Sequence, residues 1–464
     1  MKTVYLIGVC GTAMATLAVL LKQRGFDVRG SDQQIYPPMN QFLADNGITF
    51  LDGYRSEHIS SDLDLVVVGN AISRGNPELE AVLDKRVRYA SLPEVLRNEF
   101  LWRARSVVVA GTHGKTTTAF MLAWTLREAG VDPSFLIGGI SRNLGTSGHV
   151  GSGDLFVVEG DEYDSAFFDK SAKFLKYLPD VVVVNNIEFD HADIYRDLEE
   201  LRVTFRRLVR LLPQNGRLIL NADDPEALAL KAEALCRVET VGVETEADWQ
   251  AVRIEHHTSE TAFDVMRQGK PVAHVRMPVL GTFNVRNALG SMAAAETVGV
   301  APELTAQALQ GFRGVKRRLE LRGVAREVTV YDDFAHHPTA VRETLSAMRA
   351  TRPSGKIWAL FEPCSATACR QVFQKEFAES LGLADEVVVT EVHRKDIPES
   401  ERLSEHELVA NLTAAGVGAR FLPAIGDVVA VVVEDARPGD QVIAMSNSGF
   451  GGIHDKLLAA LAER

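Results

Sequence analysis

The stretch from Ser106 to Thr118, SVVVAGTHGKTTT, constrains the fold of this chain more than any other. Val107 to Ala110 is a short apolar run with β-branched residues and reads as a buried parallel strand; TTTAFMLAWTLREAG carries helical periodicity that ends at Gly130. Strand, glycine turn, Lys-Thr and helix, in that order, make a phosphate cradle. Backbone N–H groups of the turn and the positive end of the helix face an anion, Lys115 reaches the outer phosphates, and the Thr116 hydroxyl is set to ligand magnesium. Where the usual nucleotide loop carries its first glycine, Val109 is still strand, so the turn is the shorter Gly111-Thr112-His113-Gly114. A bare Gly-Lys-Thr arises by chance, but here the flanking strand and helix supply the context the motif demands.

With 464 residues the chain is too long for one core, and at about 150 residues each it holds about three domains. The 50 Lys and Arg against 62 Asp and Glu give a net charge of -12, which argues against a nucleic-acid partner and leaves room for local sites that take small phosphorylated substrates. Cys10, Cys236, Cys364 and Cys369 show no metal-type pairing, and the spacing from Cys364 to Cys369 is wrong for a zinc knuckle; reduced thiols in a cytoplasmic protein are expected. Met1-Lys2-Thr3 leads straight into VYLIGV, a first strand without the length or cleavage site of a signal peptide. No apolar run approaches the roughly 18 to 20 residues that span a bilayer, so no membrane partner is expected.

The chain opens with VYLIGVCGTAMATLAVLLKQRG and DVRGSD, a βαβ unit of Rossmann type with Gly8 and Gly11 in its turn and Ser31-Asp32 at the end of its second strand. Cys10 occupies the middle glycine position of a dinucleotide fingerprint and Thr12-Ala13 supply no last glycine, so a nicotinamide dehydrogenase and a site for some other nucleotide diphosphate are both open readings. LDLVVVGNAIS is a further buried strand whose end, Gly69 to Ser73, lines the same crevice. Beyond the phosphate turn, DLFVVEGDEYDS and DVVVVNNIEFDHAD are strands that end in charged residues. Ligands gather at the carboxyl ends of parallel strands, which brings Glu159, Asp161, Glu162 and His191 towards the cradle; each alone is as readily a solvated loop residue. Thr116, Glu159 and His191 make an oxygen, oxygen and imidazole set suited to magnesium or manganese, against the plain alternative of a structural histidine.

The segment Asn221 to Leu280 reads as an elaboration, with a hairpin around a Gly-Lys turn in ETAFDVMRQGKPVAHVRM, and shows no chemistry. GTFNVRNALGSMAAAETVG starts a helix near Asn284, where Asn284, Arg286 and Asn287 either meet a purine edge or, for Asn284, cap the helix. From Gly314 onwards strand and helix alternate again. Asp332, Asp333, His336 and His337 sit at a strand-to-helix turn, and Arg317 and Arg318 offer fixed positive charge to a phosphate.

GTHGKTTT, EGDEYD, NNIEFDHAD, GTFNVRNAL, KRRLE and YDDFAHHPT, in that order over essentially the whole chain, resemble the Mur ligases, the ATP-dependent amide-forming enzymes of peptidoglycan assembly. GVCGTAMA, SDQQIYPPM, GNAISRGNPELEA, FEPCSAT and SNSGFGGIH look closest to the recycling branch, which joins UDP-N-acetylmuramate to the tripeptide L-alanyl-γ-D-glutamyl-meso-diaminopimelate; the alanine-adding branch is the alternative. The resemblance implies an α/β chain of three domains: a Rossmann-like UDP-sugar domain over 1–104, a central ATP and metal domain with a phosphate loop and a mostly parallel sheet over 105–312, and a Rossmann-like peptide domain over 313–464. It implies sugar contacts at Gly11, Thr12, Ser31, Asp32, Ala71 and His113. ATP contacts fall on Gly111, Thr112, His113, Gly114, Lys115, Thr116, Thr117, Asn287, Arg318 and Asp332, metal ligands on Thr116, Glu159 and His191, and catalytic roles on Lys115, His191, Arg318 and His336. ATP and magnesium, or manganese, are the implied cofactors, and a monomer or weak homo-oligomer the implied state. Phe283 stands where the family commonly has His, Cys364 where it usually has Arg, and Phe205 near the place of a carbamylated lysine in several members, so none is expected here. Because Arg318 and Lys115 lie on different domains, closure is expected to accompany the reaction, with an open form in the absence of ligands.

Overall fold

Val107 and Val109 pack into one apolar cluster while Val108 and Ala110 pack into another, the alternation required of a strand covered on both faces. In the computed structural model, which describes residues 2–33, 35, 39–190, 194–394 and 396–463, that strand (Arg105–Ala110) lies inside a ten-stranded sheet. Its neighbours are the strands Pro179–Val184 and Leu155–Gly160, both parallel to it. Antiparallel strands sit only towards the two edges, at Gly148–His149 on one side and in the hairpin Thr261–Arg267/Lys270–Met277 on the other. The hairpin turn is centred on Gln268 (φ 49°) and Gly269 (φ 75°), one residue before the expected Gly-Lys pair, and positive φ at both centres suits the twist of the paired strands.

The sheet of the first domain is fully parallel, with strand order Thr49–Asp52, Asp27–Asp32, Thr3–Ile7, Leu65–Val68, Tyr89–Ser91. The order reverses between Thr3–Ile7 and Leu65–Val68, so a crevice opens at their carboxyl ends. There Gly69 N–H donates to Ile7 O (3.0 Å), and Gly11 precedes the helix Thr12–Gln23. Leu6 and Val67 share an apolar cluster with Val108 and Phe156, which seats this domain on one face of the central sheet. The other face is covered by the helices Lys115–Glu128 and Thr282–Thr297.

The third sheet has five parallel strands, among them Val328–Asp333, Ile357–Phe361 and Gln441–Met445, and one antiparallel edge strand, Glu320–Ala325. The fold is thus a three-domain α/β architecture with mostly parallel sheets. No helix among the described residues is long and apolar enough to cross a membrane.

Candidate functional site

The phosphate turn is pressed against the end of the neighbouring strand. Gly111 (φ 132°) and Gly114 (φ 80°) both have positive φ; a Cβ on Gly111 would stand 3.0 Å from the Asn186 amide, and one on Gly114 would stand 2.5 Å from Asn287 Oδ1. Only glycine fits both the dihedral and the space. His113 N–H donates to Asn186 Oδ1 (2.7 Å), fixing the turn over the strand end Asn185-Asn186. Lys115 begins the helix with its ammonium buried, donating to Gly111 O (2.7 Å) and to Glu162 Oε2 (2.8 Å). Burial alone would lower its pKa, but the Glu162, Asp161 and Glu159 carboxylates outweigh burial and hold the amine protonated.

Thr116 Oγ1 donates to Glu159 Oε1 (2.7 Å) and Gly138 N–H to Oε2 (2.6 Å). Burial, reinforced by Asp161, pushes the Glu159 acid up to about 7. A buried carboxylate beside a hydroxyl is a hard-oxygen pair, which fits a magnesium or manganese ion. A nucleotide triphosphate suits the turn next to it, where the Lys115 ammonium and the first N–H groups of the helix Lys115–Glu128 are set to meet an anion. The third expected ligand, His191, also an expected catalytic residue, lies outside the described residues.

Arg318 reaches this pair from the third domain, with Nη2 3.4 Å from Thr116 Oγ1. The central and third domains are therefore in contact across the gap. Further contacts hold the gap shut: Thr339 Oγ1 donates to Glu188 (2.6 Å), His337 Nε2 to Phe189 O (3.2 Å), and Thr367 Oγ1 to Asp190. Arg318 sits in a turn where Arg317 (φ 61°) and Leu319 (φ 47°) are both left-handed. Asp333 clamps the turn by accepting from Leu319 N–H with Oδ2 and from Ala335 N–H with Oδ1 (2.8 Å).

Asp333, not Asp332, lines the cavity. Successive strand residues point to opposite faces, so Asp332 turns away and faces Arg317, Arg322 and His454 (3.3 Å). Arg317 likewise spends its guanidinium on the Ser446 carbonyl (2.7 Å) instead of facing a phosphate. His336 does line the cavity; its Nδ1–H donates to Phe334 O (2.8 Å), and desolvation lowers its pKa to about 4, so Nε2 is a neutral acceptor.

Thr112, His113, Gly114, Thr117 and Asn287 line the same cavity, and Gly111 shapes the turn beneath them. Asn287 Oδ1 accepts from Thr118 (3.1 Å) and its Nδ2 donates to Asn284. Asn284 is not the cap. The helix starts at Thr282 after Gly281, and Asn284 is buried on Leu280 O (2.7 Å). Arg286 pairs with Asp223 (2.9 Å) and Glu244 (3.0 Å), and Asn221, Asp223, Asp224 and Glu244 form the cavity's far wall. The segment from Asn221 to Leu280 thus supplies part of the cavity wall. Phe283 is in this wall too. Cys364 lies beside Ser448 and Glu362, its thiol pKa raised by burial, and supplies no positive charge there.

The crevice over the first sheet encloses about 810 Å³ and is lined by Gly11, Thr12, Asp32 and Ala71, together with Arg74 and Lys173. Asp32 Oδ2 accepts from Cys10 N–H (2.8 Å). Two expected sugar contacts are elsewhere. Ser31 is fully buried with its hydroxyl on Glu78, the strand alternation again turning one neighbour inwards, and His113 lines the phosphate cavity. Tyr163 lines both spaces, so cavity and crevice meet at its ring. Asn221, Asp223 and Glu188 carried no readable signal beyond their place after strand ends.

Three family models cover the chain in sequence: "Mur ligase family, catalytic domain" over residues 3–100, "Mur ligase middle domain" over 109–295, and "Mur ligase, glutamate ligase domain" over 317–448. The UDP-N-acetylmuramate--L-alanyl-gamma-D-glutamyl-meso-2,6-diaminoheptandioate ligase of Escherichia coli (strain K12) is 44% identical over 464 residues, 99% of this chain and 98% of that protein. A UDP-N-acetylmuramate--L-alanine ligase of Caldicellulosiruptor bescii is 32% identical over 450 residues, 97% of this chain and 96% of that protein. The crystal structure of a murein peptide ligase from Psychrobacter arcticus 273-4 superposes with TM-score 0.75 at 36% identity, covering 100% of this chain and 99% of that one. On the cradle, the Thr116–Glu159 pair, the domain order and these likenesses, the chain belongs to the Mur ligase family.

Proposed function

We propose that this chain is an ATP-dependent ligase that joins the lactyl carboxylate of UDP-N-acetylmuramate to the amine of L-alanyl-γ-D-glutamyl-meso-diaminopimelate in peptidoglycan recycling. The observation that carries the reading is the convergence of Lys115, the Thr116–Glu159 pair and Arg318 in one cavity that meets the crevice over the first sheet at Tyr163. A nucleotide sugar in the crevice, held by Gly11, Thr12, Asp32, Ala71 and Lys173, would point its acid past Tyr163 towards the cradle.

A carboxylate resists amines because its charge repels them and oxide cannot leave. Phosphorylation removes both obstacles. One carboxylate oxygen attacks the γ-phosphorus of ATP, the bond to ADP breaks, and an acyl phosphate forms; the amine then adds to the carbonyl carbon and the tetrahedral intermediate expels phosphate. A divalent cation held by Thr116 and Glu159, with His191 as a further ligand, would supply charge neutralisation for the phosphates. Lys115, already protonated, and Arg318 stabilise charge on the phosphoryl oxygens, where one donor is worth roughly 10²- to 10³-fold in rate. His336 offers the neutral Nε2 that takes the amine's proton as the C–N bond forms. The contacts across the domain gap keep water from the acyl phosphate. Asn287, Phe283 and the Asn221 wall provide amide and ring surfaces for adenine.

The reading places the protein in the cytoplasm, as a monomer or weak homo-oligomer, with domains over 1–104, 105–312 and 313–464. Tripeptide over alanine is supported by the higher identity to relatives named for the tripeptide. Phosphate release measured with UDP-N-acetylmuramate and ATP should require the tripeptide; turnover with L-alanine alone would move the chain to the alanine-adding branch.

A further inference from the structure

His113 on the phosphate turn, Glu188 beyond the strand Pro179–Val184, and His337, the N-cap of the helix Pro338–Ala350, come from two domains and converge beside the cavity that His113 and Glu188 line. One ligand atom from each lies within 4.8 Å of the others. His113 Nε2 stands 3.4 Å and His337 Nδ1 3.6 Å from the same oxygen, Glu188 Oε2. Those distances are long for hydrogen bonds, and His113 Nε2 is buried with no hydrogen-bond partner among the described residues. They match a different arrangement: two ligands each about 2.1 Å from a tetrahedral ion stand about 3.4 Å apart.

The surrounding bonds orient the donors for an ion. His337 Nε2–H donates to Phe189 O (3.2 Å), so Nδ1 is the acceptor nitrogen; it accepts the capping bond from the Thr339 amide (3.3 Å), which an ion on the Glu188 side would take over. The Thr339 hydroxyl donates to Glu188 Oε2 (2.6 Å). A far nitrogen anchored on a carbonyl and a carboxylate anchored on a hydroxyl are the outer supports that metal ligands usually carry.

We propose that His113, Glu188 and His337 form a zinc-type transition-metal site that bridges the central and third domains. Two imidazoles and one carboxylate select zinc over magnesium, so the site differs in chemistry from the hard-oxygen pair Thr116 and Glu159. Three protein ligands leave a fourth position for water or an oxygen ligand in the cavity. Because His337 comes from the third domain, the ion binds the closed arrangement and favours it by mass action.

The test uses the full chain stripped of metal by chelation, titrated with Co²⁺ in excess Mg²⁺ and read by visible absorption. The expected result is the intense absorption of tetrahedral cobalt, saturating at one ion per chain, abolished in His337→Ala and Glu188→Gln and weakened about 10- to 100-fold in Thr339→Val. Scattering should show zinc compacting the native chain but not His337→Ala. Circular dichroism checks that each variant folds, and Thr339→Val decides the matter if the other two do not. Absorption that survives both ligand substitutions, or that magnesium displaces, overturns the site. No substrate is present in the assay, so its failure leaves the ligase reading untouched and the reverse also holds.

Discussion

Asp333→Asn separates the positioning of Arg318 from the stability of the fold. The native carboxylate uses Oδ2 for Leu319 N–H and Oδ1 for Ala335 N–H (2.8 Å) and Thr344 Oγ1 (3.3 Å). An asparagine has one acceptor oxygen, so its NH₂ must face one of these donors, at a cost of about 1–3 kcal/mol. The turn it clamps contains Arg317 and Leu319 in left-handed conformations, each strained by about 1–3 kcal/mol, so losing the clamp is enough to let the turn relax. A second effect runs the other way. Burial lifts Asp333 from the ordinary 3.8 to about 6, opposed by Arg318; at about 1.4 kcal/mol per pH unit, holding the carboxylate ionised at neutral pH costs about 3 kcal/mol, which the amide avoids. The two terms nearly cancel, so thermal stability at pH 7.5 should move by no more than about 1–2 kcal/mol, while a displacement of about 1 Å at Arg318 lowers kcat about 10²-fold.

The sign of the pH effect follows from the same carboxylate. Its folded value lies above its unfolded one, so its contribution to stability is fully present below about 3.8 and is lost as pH rises through about 6. Urea unfolding of the native chain between pH 4 and 7 should show this loss relative to Asp333→Asn. A double cycle with Arg318→Ala should be strongly non-additive in kcat. The reasoning is refuted if Asp333→Asn keeps kcat within about threefold of native, or if its loss adds in full to that of Arg318→Ala.

Two further substitutions probe the two ends of the site. Lys173 lines the crevice 3.3 Å from Asp161; if it binds the nucleotide sugar there, as proposed, without taking part in the chemistry, Lys173→Ala should raise KM for UDP-N-acetylmuramate about tenfold or more with kcat nearly unchanged, as steady-state kinetics would show. Thr116→Val removes the hydroxyl beside Glu159 and should raise the magnesium concentration needed for half-maximal rate at least about tenfold, whereas Thr116→Ser should stay near native.

The phosphate cradle was legible because its physics is local: a strand, two glycines forced by positive φ, and a helix end lie within a dozen or so consecutive residues. Glu159 and Arg318 were legible as strand-end and charged-turn residues of a recognisable family pattern. Errors came where a single position decides the face. Ser31 and Asp32, and Asp332 and Asp333, are adjacent strand residues, and the period of two sends one inwards and the other to the ligand; composition cannot say which. Asn284 looked like a cap because Asn caps helices, yet Gly281 starts this one and Asn284 is spent on Leu280 O. Asn221, Asp223 and Glu188 join the site only through strand order and domain closure, which are long-range facts, and the closure itself depends on contacts such as Thr339 with Glu188 that no local pattern announces.

The central claim is that a sugar carboxylate is phosphorylated before nitrogen arrives, and oxygen labelling tests it most directly. UDP-N-acetylmuramate carrying ¹⁸O in its lactyl carboxylate, turned over with ATP and the tripeptide, should yield inorganic phosphate bearing one labelled oxygen, read by mass spectrometry. Phosphate free of label, with the missing oxygen found in water, would contradict it.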